Sequence, residues 1–253
     1  MNITPNAKII AVCNAKGGVG KTMSVASLAA VLVGLGYNVL GVDMDLQHNL
    51  SLNFLSKEPE NTILDYFNGE KLPVVNIRQG FDLVPGSAEM ANIDSMIEGP
   101  EDRFYLSKGL AKVKSKYDFI IIDCPPSTQG ATINAFTAAD YLFVPTLATM
   151  ESLLNIARVS EAVCRAGTPT RINGIFFTMF DPRKKLTRKI EALARAKYGD
   201  AVMQSCIKTC VKLPESVVER KDIMAYAPNS QAASDYQALA EEMLMIINKE
   251  EQS

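Results

Sequence analysis

Residues Lys16 to Thr22 read KGGVGKT and have the composition of a loop that binds phosphate groups. Their three glycines allow the backbone to turn tightly, so that its N–H groups can point inward at an anion. Lys21 can reach the β- and γ-phosphates of a nucleotide, and the Thr22 hydroxyl can bind Mg²⁺. The strict pattern for such loops has glycine where this chain has Ala15. The residues predicted to contact the nucleotide are Lys16, Gly17, Gly18, Val19, Gly20, Lys21, Thr22 and Met23.

Lys16 is the unusual member of this loop. Because Lys21 already supplies a positive charge to the phosphates, a second lysine beside it adds little unless it has a separate task. One such task is a contact across a dimer, where the charge would stabilise the transferred phosphoryl group as an arginine finger does. The alternative is a solvated loop lysine.

Two acidic segments follow apolar runs farther along the chain, at residues 43–45 (DMD) and at Asp123. A carboxylate beside phosphates can hold Mg²⁺, through water, or orient the attacking water. Asp45 could instead cap the helix that follows it, which is a common position for aspartate. The adjacent prolines Pro125 and Pro126 make the segment after Asp123 rigid, as suits a loop that reports whether a γ-phosphate is present.

The apolar runs around these segments predict an α/β protein. Strands are predicted at 8–14, 37–43, 81–85, 117–123, 141–145 and 172–178. Helices are predicted at 22–35, from about 101, at 150–165, 186–198 and 230–248. Their alternation predicts a mostly parallel central sheet with helices on both faces. Functional groups of such sheets collect at the carboxyl ends of the strands, where Asn14, Asp43 and Asp123 fall.

The composition is that of a globular protein, with 47% hydrophobic and 21% charged residues among 253. Because no linker-like stretch divides the chain, we expect a single domain over 1–253. Because the formal net charge is -2, any contact with nucleic acid would have to be made through a local patch of positive charge. Residues 1–8 lack the features of an export signal, and no apolar run approaches the ~20 residues of a membrane span. We therefore expect a cytoplasmic protein with no membrane partner.

The five cysteines are odd in number and irregularly spaced. Cys13 and Cys124 lie in or beside apolar strands, which favours buried free thiols in a reducing compartment. Cys206 and Cys210 form a single C-x3-C pair with no second pair, which is weak support for a metal site.

The loop KGGVGKT, the segment DMDLQHN at 43–49 and the segment DCPPS at 123–127 together resemble the deviant-Walker-A family of P-loop ATPases, which includes ParA, Soj, MinD and nitrogenase iron protein. The segments TMFDPR at 178–183 and LPESVVERKDIMAYAPNSQAASDYQALAEE at 213–242 are similar to the ParA/Soj branch. The resemblance therefore runs nearly end to end. It implies a SIMIBI-like P-loop NTPase fold, ATP and Mg²⁺ as cofactors, and a homodimer that forms with ATP.

The resemblance also implies roles for individual residues. Lys16 would reach the nucleotide of the facing subunit, Asp45 would position the attacking water, and Asp43 would assist at the metal. Asp123 would bind a water of the Mg²⁺ shell. Leu46 and His48 replace the proline and glycine that are usual in this family, which puts the shape of the loop and the hydrolysis rate in question. Pro214 and Glu215 would border the adenine, although both also suit an ordinary loop.

A cluster of positive charge lies between residues 181 and 198. It contains seven basic residues against two acidic ones, and Lys184 with Arg188, and Lys185 with Lys189, are spaced to share helix faces. Such a surface can track DNA phosphates without reading bases. The resemblance implies nonspecific DNA binding by the ATP dimer, through Arg183, Lys184, Lys185, Arg188, Lys189, Arg220 and Lys221. The alternative is a solvated helix face.

The ATP loop alone leaves three functions open. A partitioning ATPase would act with a ParB-like or other adaptor on plasmid, chromosome or other cargo, and would associate with the nucleoid when ATP is bound. A MinD-like membrane switch needs a basic amphipathic tail, whereas residues 241–253 carry four glutamates against Lys249 alone. An electron-transfer ATPase similar to nitrogenase iron protein needs two cluster cysteines, and Cys124 lies too near the phosphate site for that role.

Overall fold

The computed structural model describes residues 7–93, 97, 99 and 101–252. A seven-stranded sheet lies at its centre, in the order β3-β4-β2-β5-β1-β6-β7. The strands are β1 (Lys8–Val12), β2 (Val39–Asp43), β3 (Val75–Arg78), β4 (Phe81–Val84), β5 (Phe119–Asp123), β6 (Tyr141–Thr146) and β7 (Ile172–Phe177). All neighbouring strands are parallel except β3, which pairs antiparallel with β4 at one edge. The predicted mostly parallel α/β fold is confirmed.

Helices cover both faces of this sheet. In the described residues they are α1 (Lys21–Gly34), α2 (Asn49–Phe54), α3 (Ile63–Phe67), α4 (Tyr105–Ala111), α5 (Gly130–Ala138), α6 (Met150–Ala166), α7 (Lys185–Tyr198), α8 (Lys212–Val218), α9 (Ile223–Tyr226) and α10 (Gln231–Glu251). Helices α1 and α10 pack on one face, and α5, α6 and α7 pack on the other. Two apolar clusters, one on each face, therefore form the core.

The burial of the strands explains why continuous apolar runs in the sequence predict the sheet. All five residues of β5 (FIIID) are buried, as expected for a central parallel strand with helices on both sides. Helix α1 is apolar on nearly all sides and buries ten residues, whereas α7 buries only Thr187, Ile190 and Ala194 and leaves the others exposed or half-buried. In the part of the chain described, no helix has the length and apolarity needed to cross a bilayer.

Several short elements were not predicted. Strand β3 is an edge strand with irregular register, and its four residues (VNIR) lack an apolar run. Helices α2, α3, α5, α8 and α9 are four to nine residues long, too short for a clear helical period. Helix α3 is instead defined by a capping box between Thr62 and Asp65. The helix predicted from about residue 101 begins with a 3-10 turn at Asp102–Phe104 and continues as α4.

Candidate functional site

The loop between β1 and α1 is fixed at its start by Asn14, which is buried. The Asn14 side-chain amide donates to the carbonyl of Pro145 on β6 at 2.7 Å. Its side-chain oxygen accepts from the Lys16 backbone N–H at 2.9 Å. The first turn of the loop is therefore tied to the neighbouring strand before the glycines begin.

The glycines of the loop allow its tight turn into α1. Gly18 and Gly20 have φ angles of 71° and 85°, in the left-handed region that glycine adopts without steric cost. Helix α1 then begins at Lys21 without a side-chain cap and without an acidic residue in its first turn. Its first N–H groups and the positive end of its dipole thus face the loop, an arrangement suited to a phosphate group.

A cleft of about 470 Å³ opens in front of this loop. It is lined by Gly17, Gly18, Gly20, Lys21, Thr22, Met23, Asp45, Gln47, Asn49, Asn53, Pro126, Met179 and Val217. The structure thus brings together most of the residues predicted to contact the nucleotide. The two exceptions on the loop are Lys16 and Val19. The Val19 side chain is fully buried, and its carbonyl accepts from the Thr178 hydroxyl at 2.8 Å.

The two lysines of the loop point in different directions. Lys21 is buried, lines the cleft, and donates to the carbonyl of Lys16 at 3.2 Å. The Lys16 side chain does not line the cleft, and its Nζ lies 2.6 Å from Glu151 Oε2 at the start of α6. Lys16 is therefore neither a ligand in its own cleft nor a freely solvated loop lysine. Glu151 was not predicted, because the pair is separated by 135 positions.

Asp45 lines the same cleft from the segment after β2. It is buried, and its Oδ1 accepts from the Gln47 N–H at 3.0 Å. Helix α2 begins after His48, whose φ of 39° is unusual for a residue other than glycine, and no side chain caps it. Asp45 is therefore not a helix cap, and the capping alternative is wrong. A buried carboxylate facing a phosphate cleft can instead accept a proton from, or orient, an attacking water.

Asp43 and Asp123 are register partners at the carboxyl ends of β2 and β5, and neither is exposed to solvent. Asp43 Oδ2 accepts from the Ser51 N–H at 2.8 Å and from the Ser51 hydroxyl at 2.7 Å. Its Oδ1 accepts from the Asp45 N–H at 3.2 Å. Burial raises the pKa of Asp43 to about 6 in spite of these hydrogen bonds. Both oxygens of Asp43 therefore bind its own chain, and direct metal binding is not the role its contacts indicate.

The side-chain oxygens of Asp123 are buried and make no hydrogen bond of normal geometry with the described residues. Burial, followed by the negative charge of Asp43, raises the pKa of Asp123 well above its ordinary value, and the Thr22 hydroxyl and Lys21 oppose this only in part. An unpartnered buried carboxylate is costly unless a cation or donor joins it. No group of three or more acidic, histidine or cysteine side chains in the described chain could hold a metal alone. The residues fit a hydrated Mg²⁺ that Thr22, Asp123 and nucleotide oxygens would hold together.

A second, almost wholly apolar pocket of about 450 Å³ continues the cleft. It is lined by Gly20, Met23, Thr178, Met179, Ile207, Lys208, Thr209, Cys210, Val211, Leu213, Pro214, Val217 and Tyr236. Gly20, Met23, Met179 and Val217 line both spaces, so a flat apolar ring could lie in the pocket while its phosphates lie in the cleft. Pro214, predicted to border the adenine, lines this pocket. Glu215 does not, because its carboxylate accepts from Lys212 and Tyr226, at 2.8 and 2.9 Å.

Comparison with known proteins identifies the family. A family model described as an AAA domain matches residues 7–169. The chromosome-partitioning ATPase Soj of Treponema pallidum is 34% identical over 250 residues, which are 94% of this chain and 97% of that protein. The chain belongs to the ParA/Soj family. The ParA/Soj relatives named in these comparisons include a chromosome partitioning protein ParA from Caulobacter vibrioides, 32% identical over 94% of each chain.

Solved structures agree with the ParA/Soj fold. A cobyrinic acid a,c-diamide synthase from Mycobacterium smegmatis, with bound ADP and magnesium, superposes with a TM-score of 0.81 at 26% identity over 94% of each chain. A plasmid partition protein described as putative, from Borrelia burgdorferi and bound to AMPPNP, superposes with a TM-score of 0.81 at 23% identity. That second match covers 97% of this chain and 99% of the other, and it supports the fold.

The basic cluster of this ParA/Soj protein is only partly free of ion pairs. Arg183 is bound to Asp181 at 2.9 Å, which lowers the pKa of that carboxyl and reduces the local positive charge. Arg195 is bound to Glu191 and to backbone carbonyls, so its role is structural. Exposed side chains of the cluster for which the described residues provide no ion pair are Lys184, Lys185, Arg188, Lys189 and Lys197. Arg220 and Lys221 are also exposed, on the link between α8 and α9.

The prediction of buried free thiols is confirmed for Cys13 and Cys124, which are buried directly after the neighbouring strands β1 and β5. Burial raises the pKa of Cys13 to about 12, so its thiol is protonated at neutral pH. Cys164 is exposed, and Cys206 and Cys210 are half-buried.

Proposed function

We propose that this ParA/Soj chain is an ATP-dependent switch. It binds ATP with Mg²⁺, closes into a homodimer, binds DNA nonspecifically in that form, and returns to the monomer after hydrolysis. In this way it positions or segregates a cargo within the cytoplasm, in association with the nucleoid while ATP is bound. A ParB-like or other adaptor protein stimulates the hydrolysis. The solved relative with ADP and magnesium supports the choice of cofactors.

The position of Lys16 is the observation that carries the dimer proposal. A lysine that acted on its own nucleotide would line its own cleft, as Lys21 does. Lys16 instead extends away from the cleft to Glu151 on α6. A long, flexible cation at the rim can exchange that carboxylate for the triphosphate of a facing subunit, where it would stabilise charge in the transition state.

The other site residues bind the phosphates, the base, the Mg²⁺ and the attacking water. Lys21 and the N–H groups of the loop bind the phosphates, and the apolar pocket that contains Pro214 accepts the base. Thr22 and Asp123 hold the Mg²⁺, which neutralises charge on the β- and γ-phosphates when it is bound. Asp45 orients the water that attacks the γ-phosphate. Leu46, which is exposed, and His48, which is half-buried, lie in the loop after Asp45, where a partner could act on the rate.

The dimer proposal predicts the behaviour of Lys16→Gln. With a non-hydrolysable ATP analogue and Mg²⁺, the wild-type protein should sediment as a dimer and Lys16→Gln as a monomer. Both should bind the analogue as monomers with similar affinity, because Lys16 lies outside its own cleft. Lys112→Gln, a change at an exposed lysine after α4, is the matched control and should dimerise normally. A wild-type protein that remains monomeric under these conditions would refute the switch.

We also propose that the exposed side chains Lys184, Lys185, Arg188 and Lys189 contact DNA phosphates. These residues lie at the exposed start of α7, and Arg220 and Lys221 add to this charge on a separate segment. Dimerisation would double the number of contacts. It therefore links DNA affinity to ATP, because nonspecific binding grows with the number of phosphates that are neutralised.

DNA affinity should accordingly depend on both ATP and salt. With ATP and Mg²⁺, we expect it to fall on the order of 1,000-fold between about 50 and 200 mM salt. The double variant Lys184→Ala, Arg188→Ala should bind more weakly and with a smaller salt dependence. The control is Lys108→Ala, Lys112→Ala, which removes an exposed basic pair with the same spacing on another part of the surface. Equal binding with and without ATP, measured by fluorescence anisotropy, would contradict the proposal.

A further inference from the structure

Ser51 occupies a buried position in α2, between the first aspartate segment and the turn after β4. Its N–H and its hydroxyl both donate to Asp43 Oδ2, at 2.8 and 2.7 Å. Its hydroxyl oxygen accepts from the Gly86 N–H at 2.8 Å. Ser51 is 3% exposed, so no water competes for these bonds. A continuous chain of hydrogen bonds therefore runs from the turn after β4, through Ser51, to Asp43.

The same chain continues to the wall of the phosphate cleft. Asp43 Oδ1 accepts from the backbone N–H of Asp45, the residue proposed to orient the attacking water. Helix α2, which carries Ser51, also contributes Asn49 and Asn53 to the cleft. The position of this whole wall relative to the sheet thus depends on how Ser51 and Asp43 are joined.

We propose that Ser51 is a positioning residue for ATP hydrolysis, which holds Asp45 and the cleft-facing side of α2 in register through the carboxylate of Asp43. This inference rests on the proposed ATPase function and deepens it. Ser51 does not line the cleft, whereas the loop proposed to bind the phosphates does. Loss of its hydroxyl should therefore reduce turnover and leave nucleotide affinity nearly unchanged.

Gly86 limits the space available to this network. A Cβ atom at Gly86 would lie 2.8 Å from Asp43 Cγ and 3.1 Å from Asp43 Oδ1, closer than side-chain contacts allow. Gly86→Ala therefore provides a second and independent disturbance of the same carboxylate. Gly86→Ala would displace the Asp43 carboxylate sterically. Ser51→Ala would instead remove the hydroxyl that donates to Asp43 and accepts from the Gly86 N–H.

The test measures kcat for ATP and the Kd for an ATP analogue in Ser51→Ala, Ser51→Thr and Gly86→Ala. We expect kcat to fall at least about tenfold in Ser51→Ala and Gly86→Ala, because misplacing a reacting group by an ångström can cost on the order of 100-fold in rate. The Kd should change less than about twofold. Ser51→Thr keeps the hydroxyl and should turn over at close to the wild-type rate. Ser56→Ala, an exposed serine just after α2, is the matched control.

The outcomes separate this inference from the proposed function. If the wild-type protein hydrolyses ATP and kcat is unchanged in Ser51→Ala or Gly86→Ala, the positioning role is overturned and the ATPase proposal stands. A parallel loss of analogue affinity and melting temperature in both variants, without rescue in Ser51→Thr, would assign Ser51 a merely structural role. A wild-type protein that hydrolyses no ATP, alone or with DNA, would refute the ATPase proposal and this inference together.

Discussion

Lys21→Ala should lose nearly all affinity for ATP. Lys21 is buried against the loop, and its charge lies in the cleft that the triphosphate would occupy. Hydrogen bonds to charged groups contribute about 1.5–3 kcal/mol each, so removal of this cation should weaken binding by on the order of 100-fold. The effect should be larger still if the ammonium contacts two phosphates. Titration with a fluorescent ATP analogue in the presence of Mg²⁺ measures it directly.

Lys16→Gln is the matched control for this prediction, because the two lysines belong to one loop and carry the same charge. Lys16 lies outside its own cleft, so its loss should leave the affinity of the monomer intact. Equal losses of affinity in the two variants would show that Lys16 binds the nucleotide of its own chain. This result would contradict the proposal that Lys21 binds the protomer's own nucleotide and Lys16 that of the facing subunit. The melting temperature of each nucleotide-free variant separates lost binding from lost folding.

Asp45→Ala should trap the ATP dimer. The variant retains the loop, Lys21 and Thr22, so it should still bind ATP and close, but it lacks the carboxylate that orients the attacking water. We expect phosphate release to fall on the order of 100- to 1,000-fold, in the range associated with the loss of a positioned catalytic group. With hydrolysable ATP, sedimentation should show a persistent dimer where the wild-type protein returns to the monomer.

Asp200→Ala is the control for that variant, since Asp200 is an exposed aspartate remote in sequence from the cleft residues. It should turn over and dissociate as the wild-type protein does. Ordinary turnover in Asp45→Ala would refute the role assigned to Asp45. A dimer that fails to form in Asp45→Ala would show that the carboxylate is needed for closure itself.

The sheet and the phosphate loop could be predicted from the sequence because their signals are local. A buried strand such as β5 is a continuous apolar run, and the loop after β1 has glycines where the backbone must turn. Asp43 and Asp123 were placed at one edge of the sheet because parallel strands bring their carboxyl ends together, and they are indeed register partners.

The remaining parts of the site depend on distant pairs. Glu151 meets Lys16 across 135 positions, and Gly86 meets Ser51 across 35, so no local pattern indicates either contact. Glu215 was placed beside the base by its neighbour Pro214, but its carboxylate turns to Lys212 and Tyr226 instead. Asp43 was expected to assist at the metal. Both of its carboxylate oxygens instead accept hydrogen bonds within the chain, and these depend on how α2 packs on the sheet.

The contact between Lys16 and Glu151 would have to break before Lys16 could reach a facing protomer. Its side chains are 26% and 68% exposed, and ion pairs so close to solvent contribute about 0–1 kcal/mol. A homodimer would give up two such contacts, which would weaken self-association by at most about 30-fold. Before dimerisation, Lys16 can therefore stay paired with Glu151, and breaking this pair costs little free energy. The concentration of nucleotide, rather than this ion pair, would govern when dimers form.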